Sequence, residues 1–228
     1  MSRDAAAGET PYMAGGGAPC PEPGSTALRL TGSTHVTSLV QRLQVRESTS
    51  AKNLTTPGPT DDELAEVMRA AVAVPEHGAI RPWRFLMVRE AGQRRLSEVF
   101  VDDLLAVDPE ASETEIAKRR DGPLRSPLLI VVAVSPRAHP KVPEIEQVVA
   151  GGLSAFVIQS CFHDMGYGAV WVTGQPSYSE RVKTALGLAP TDHIIGFVHV
   201  GTRGPGASAS PPKKRPEPSD YIVEWTGS

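Results

Sequence analysis

Pro75-Glu-His-Gly-Ala-Ile-Arg-Pro-Trp-Arg-Phe85 lies between a helical pattern and a strand pattern and follows the period of neither. A residue preceding proline is pushed out of the α region, and Gly78 can take backbone angles closed to other residues. The segment therefore predicts an irregular loop held between two rigid elements. Loops of that kind carry sites disproportionately. His77, Arg81 and Arg84 offer three groups to an anion and Trp83 offers a flat apolar surface, although Trp83 and Phe85 suit the opening of a buried strand equally well.

Working outward, Thr60-Asp-Asp-Glu63 forms a capping box before Leu64, Val67, Met68 and Ala71, so a helix runs to about residue 73. Before it, Val36, Leu39, Val40 and Leu43 recur at helical spacing, and residues 46–54 are polar enough for a connecting loop. Beyond the loop, residues 84–89 read as a strand. A helix to about residue 107 follows, with Leu96, Val99, Phe100 and Leu104 on one face, and then a charged helical stretch over 113–120. Pro127 opens the β-branched run 128–134, which suits a strand buried on both faces. A helix over 144–165, nearly all apolar after Gln147, belongs in a core or at a subunit interface. Strands over 169–173 and 194–200 flank a short helix over 179–186.

The 228 residues are 40% hydrophobic, enough for one domain, taken as 34–228, behind a tail. Residues 1–33 hold six Gly and four Pro with few large apolar side chains, a composition expected to stay disordered. A net charge of −3 and no basic stripe argue against nucleic acid as a partner. The apolar runs 128–134 and 148–162 fall short of the ~20 residues that span a bilayer, so no membrane partner is expected. Cys20 and Cys161 sit in unlike contexts and suggest neither a disulfide framework nor a metal site, which leaves a cytoplasmic location as the default. No Gly-x-Gly-x-x-Gly fingerprint opens a helix and no Walker loop is present, so Rossmann and P-loop readings fail. No triad or carboxylate pair is visible either.

The Pro-Glu-His and Arg-Pro-Trp-Arg-Phe pattern continues in collinear order through Arg125-Ser-Pro-Leu-Leu-Ile, His139-Pro-Lys-Val-Pro-Glu-Ile-Glu-Gln147, Gly166-Tyr-Gly-Ala-Val-Trp-Val-Thr-Gly174 and Ile195-Gly-Phe-Val-His-Val-Gly-Thr202. Each motif is weak singly; the ordered set resembles the nitroreductase family of FMN-dependent oxidoreductases, in its short subgroup. The resemblance implies an α+β sandwich with a central, mostly antiparallel sheet flanked by helices, and a homodimer with FMN at the interface. It implies that Arg46-Glu47-Ser48 grips the FMN phosphate. A second register is open, in which Ser48 replaces the Arg, Ser50 is the Ser and Lys52 supplies the cation. The first is preferred because loops accept insertions and a dianionic phosphate suits a permanently charged fork.

Lys213 and Arg215 match a Lys-x-Arg pattern reaching back to the phosphate. His77 and its loop, with Trp83, would meet the flavin from the partner, and Trp171, Val172 and Thr173 would line its ring. The segment Cys161, Phe162, His163, Asp164, Met165 and Gly166 would approach the nicotinamide of NADPH or NADH. No catalytic side chain is expected, because the chemistry is the flavin's. Nitroaromatics, quinones and similar small molecules are the implied acceptors. A non-catalytic flavin-binding dimer and an FMN enzyme that oxidises or remodels a specialised molecule are the rival readings. Two residues depart from the family pattern: Ala79 stands where many members have Asn or Ser, and Arg81 where Gln is common.

Overall fold

The computed structural model describes residues 38–208 and 215–227. These divide between two compact units: His35–Pro212 holds the sheet and the α-helices, and the other includes the C-terminal segment. The expected tail 1–33, Val36, Cys20 and Lys213 lie outside the described residues. In the C-terminal segment, a single 3-10 turn at Pro218–Tyr221 precedes Val223 and Trp225, both exposed, and Arg215 is exposed as well.

In the larger unit the elements run α1 Ser38–Val45, β1 Leu54–Thr55, α2 Asp61–Ala71, β2 Trp83–Val88, α3 Glu90–Val107 and α4 Glu113–Asp121. They continue as β3 Leu128–Val134, α5 Glu144–Asp164, β4 Gly168–Val172, α6 Glu180–Ala185 and β5 His193–Arg203. The sheet order is β1-β5-β3-β2, with β4 also on β5, and every pairing is antiparallel. This is the α+β sandwich expected from the sequence. All seven residues of β3 are buried, because alternate side chains feed two cores. Leu128, Ile130 and Val132 pack with α2 and α5, around Phe162 and Ile158. Leu129, Val131 and Ala133 pack with α3 and α6, where Phe100 meets Phe197 edge to face at 5.4 Å. The Thr60 hydroxyl accepts from the Glu63 N–H and the Glu63 carboxylate accepts from the Thr60 N–H, so the capping box starts α2 as read.

Three features correct the sequence reading. β5 extends to Arg203, three residues past the expected end, because the unforeseen two-residue β1 pairs with Thr202 and Arg203. The β3–β5 ladder also shifts register: Val132 faces Gly196 but Ala133 faces Ile194, leaving Ile195 as a bulge. The freed Ile195 carbonyl accepts the indole N–H of Trp171 at 3.1 Å. Finally, α5 is long and apolar enough by length and composition to cross a bilayer, although the run 148–162 alone is too short. It serves instead as a core helix, with Ser154 donating to the Ala71 carbonyl at 2.8 Å and Gln159 bonded on its buried face. Its other face leaves Ile145, Val149, Leu153 and Phe156 exposed.

Candidate functional site

On the α3 side of the sheet a cavity of about 480 Å³ opens at the β4 edge. Strand alternation determines which residues reach it. Val172 lies opposite Phe197 and Val170 opposite His199, so these residues share a face, while Trp171 between them turns toward the core against α5. Val172 and Thr173 therefore line the cavity with Phe100, Leu104, Leu129 and Phe197, and Trp171 does not. Lys118, Arg119 and Glu115 of α4, with Arg125, supply its charged rim. Ser112 already holds the Glu115 carboxylate in a second capping box, and those hydrogen bonds lower its pKa.

His199 sits in the cavity wall, only 5% exposed. Its Nδ1 lies 2.9 Å from Ser126 Oγ, whose hydroxyl donates to the Leu128 carbonyl at 2.9 Å. Ser126 must then accept from His199, which places the ring proton on Nδ1 and leaves Nε2 as a bare acceptor. Burial, aided by the Arg125 charge, pushes the imidazole pKa down to about 4, so the ring is neutral at pH 7. The sequence reading passed over this residue. Its signal was a lone polar side chain among apolar neighbours in Phe197-Val-His-Val200, at a position whose alternation faces inward.

A second constellation gathers where the 46–50 loop meets the end of α5. Thr49 N–H donates to the Ala169 carbonyl at 3.0 Å, and Gln159 Nε2 donates to that carbonyl at 3.2 Å and to Ser48 Oγ at 2.9 Å. The loop is thus tied to the first residues of β4. One turn beyond Gln159 stands His163, whose pKa is lowered by burial and by the charges of Arg203 and Arg46, against the opposing carboxylates of Glu47 and Asp164. Arg203 pairs with Glu47. Arg46, Ser48, Arg203 and His163 therefore form a net cationic cluster, and the chain leaving it enters the cavity wall at Ala51. Ser50 precedes the Ala51–Asn53 turn without a capping side-chain bond, and Lys52 is exposed. Arg203, His163 and Gln159 were not foreseen in this role; the unrecognised extension of β5 hid the first.

Of the segment expected beside nicotinamide, Phe162 is fully buried in the core, so its side chain is withheld from any ligand. Cys161 and Met165 pack against that core, and burial raises the Cys161 pKa. Asp164 pairs with Arg42 at 2.7 Å. Gly166 takes a φ of +88° in the turn that follows.

The Pro75 loop lies elsewhere, against the N-terminal half of α5. Glu76 accepts from the Ile80 N–H at 2.9 Å, and His77 Nδ1 lies 2.8 Å from Glu146. Trp83 is half-buried opposite Val134, and Arg84 Nε donates to Ser135 at 2.7 Å. Pro75, Glu76 and His77 border a shallow depression whose floor is Val149, Ala150 and Leu153. None of residues 75–85 lines the first cavity.

Ala79 and Arg81 both adopt φ of +52°, a left-handed conformation costing a side-chain-bearing residue roughly 1 kcal/mol that Asn tolerates better. Ala79→Asn is expected to raise stability by about 0.5 kcal/mol and Ala79→Val to lower it. Thermal melts of the pair check this; equal melting temperatures would contradict the strain.

Four known proteins or families resemble this chain. The nitroreductase family model matches residues 44–202. The protein named "Putative NAD(P)H nitroreductase YdjA" from Escherichia coli K12 is 31% identical over 174 residues, which are 76% of this chain and 93% of that protein. Among solved structures, a nitroreductase-like family protein from Bacillus cereus superposes with a TM-score of 0.69 at 24% identity, covering 86% of this chain and all of its own. A nitroreductase with bound FMN from Bacteroides fragilis reaches 0.61 at 15% identity, over 83% and 99% of the two chains.

Proposed function

This chain belongs to the nitroreductase family, and from that premise we propose that it is an FMN-dependent NAD(P)H oxidoreductase working as a homodimer in the cytoplasm. The observation that carries the reading is the continuity of two parts: a cationic cluster at Arg46, Ser48, Arg203 and His163, and an apolar-walled cavity that begins at Ala51 and ends at Val172 and Thr173. A phosphate on the first and a flat ring in the second is what an FMN would require. The residues fit that group in charge as well. Arg46 and Arg203 stand against Glu47, with Asp164 balanced by Arg42, so the cluster carries a net positive charge that favours an anionic phosphate.

Bound FMN supplies hydride acceptance and onward electron release. The chain's own part is placement. Arg46 and Ser48 would hold the phosphate. Val172 and Thr173 would border the ring edge, and Phe100, Leu104 and Phe197 keep the wall apolar and exclude water. Nitroaromatics, quinones and related acceptors are the proposed substrates, with NADPH or NADH as reductant.

The dimer is supported by the exposed stripe Ile145, Val149, Leu153 and Phe156 on α5, four large apolar side chains on one helix face. It runs into the depression beside His77. Pairing through this stripe would carry the Pro75 loop, which stands apart from its own chain's cavity, toward the partner.

The test is the visible spectrum of purified protein, followed anaerobically as NADPH and then NADH are added. Flavin bands that bleach are expected. Arg46→Ala should weaken FMN at least tenfold while leaving riboflavin, which lacks the phosphate, unchanged, since a charge-assisted phosphate contact contributes about 1.5–3 kcal/mol. A protein that stays colourless after incubation with FMN would sink the reading. Bound flavin that neither nicotinamide reduces would favour the non-catalytic flavin-binding dimer.

A further inference from the structure

His199 is costly to bury. An unpaired polar edge inside an apolar wall forfeits its water without compensation unless a ligand or solvent meets it. Ser126 satisfies Nδ1, whereas Nε2 makes no hydrogen bond among the described residues, and the residue lines the cavity. Most of the side chains that share the cavity are apolar. Phe100 and Leu104 of α3, Leu129 of β3 and Phe197 of β5 are apolar, and Glu115 on α4 is occupied by Ser112. The wall therefore presents a ring acceptor oriented by Ser126 in largely apolar surroundings, with Thr173 and Gln175 as the other uncharged polar side chains of the lining. The rim carries the opposite kind of group: Lys118, Arg119 and Arg125 against Glu115 alone.

We propose that His199 Nε2 and the Lys118, Arg119 and Arg125 rim form a specificity subsite for planar anionic aromatics bearing a hydroxyl, which donates to Nε2 while the carboxylate meets the rim. The inference deepens the oxidoreductase reading and rests on it, because it names the class of acceptor that reading leaves open. Ser126 is a positioning residue: it locks the tautomer in which Nε2 accepts. Without it the ring proton is free to move to Nε2, which turns the acceptor into a donor and removes the match to a hydroxyl.

The experiment is calorimetric binding of meta- and para-hydroxybenzoate, their methyl ethers and their methyl esters, to the full-length protein with and without FMN. At least one hydroxybenzoate is expected to bind about tenfold more tightly than its ether, the size of one net hydrogen bond, and more tightly than its ester at low salt only. His199→Leu should bring the hydroxyl-to-ether ratio to about one, and His199→Gln, which keeps an acceptor, should retain part of it. Ser126→Ala should lower the ratio with the histidine still present. Arg125→Gln should weaken the acids and spare the esters.

Equal binding of hydroxyl and ether forms to the wild type overturns the proposal. So does a ratio that survives in a folded His199→Leu; if that variant does not fold, an undiminished ratio in Ser126→Ala overturns it instead. Flavin uptake, read from absorbance in the same samples, separates the two claims. Bound, reducible flavin without hydroxyl discrimination removes this subsite and leaves the oxidoreductase reading. Discrimination in a protein that takes up no flavin leaves a binding subsite but removes the flavin reading, and with it overturns the ligand's role as acceptor.

Discussion

Gly196→Ala is expected to lower the stability of this protein by about 3 kcal/mol, through two effects that act at the same atom. Gly196 holds a φ of +152°, a region that L side chains rarely adopt. A Cβ built there would stand 2.3 Å from Trp171 Nε1 and 2.7 Å from the Val172 carbonyl oxygen. Backbone strain of this kind costs of order 1–3 kcal/mol, and forced overpacking typically a further 1–3. Neither neighbour yields freely. The Trp171 indole is bonded to the Ile195 carbonyl, and the Val172 carbonyl belongs to the strand pair. At about 2–4 °C per kcal/mol for a chain of this size, the melting temperature should fall by roughly 10 °C. Because the displaced atoms sit at β4 where Val172 and Thr173 enter the cavity, bound flavin should also be lost. A variant that melts within 2 °C of the wild type would show that the bulge can be rebuilt, and the account of Trp171 as its clamp would fall.

Acidification should destabilise the protein through His199, and replacing that residue should remove the effect. The imidazole pKa moves from 6.5 to about 4 on folding. Between those values the unfolded chain binds a proton that the native chain does not. Stability is therefore lost as pH falls from about 6.5 toward 4, where the native ring begins to protonate. At 1.36 kcal/mol per unit the loss is about 3 kcal/mol. The groups around the ring are Ser126, which fixes its Nδ1, the Arg125 guanidinium, which depresses the pKa further, and Glu115, Lys118 and Arg119 on the cavity rim. His163 titrates with the same sign but weighs equally on wild type and variant. Urea unfolding at pH 7.5 and 4.5 checks this: the wild type should lose about 2.5 kcal/mol more than His199→Leu, because pH 4.5 stops short of the native pKa. Equal losses would mean that the native ring charges without cost, and the buried acceptor argued for the cavity would not exist.

The elements themselves were legible because each rests on a local rule. The Thr60 capping box, the β-branched run of β3 and the apolar length of α5 depend on side chains within a few residues of one another, and all three appear where their patterns place them. For Arg46 and Ser48 the local sequence offers only a cation and a hydroxyl in a polar loop. What tertiary contact alone settled is direction and company. Trp171 sits in a strand by any local criterion. Yet whether its ring faces a ligand or the core depends on β4 pairing with β5 and on the bulge at Ile195, and both are long-range. Arg203 becomes part of the cationic cluster only because β1, distant in sequence, extends β5 to reach it. His199 looks like one polar residue in an apolar strand until Ser126, from before β3, takes its Nδ1 and the α4 rim closes over the cavity. Periodicity and capping act over the few residues that hydrogen bonds and side chains can span along the chain. The identity of the neighbour across a strand or under a helix is determined by how the whole chain buries its apolar surface, and no local window contains that.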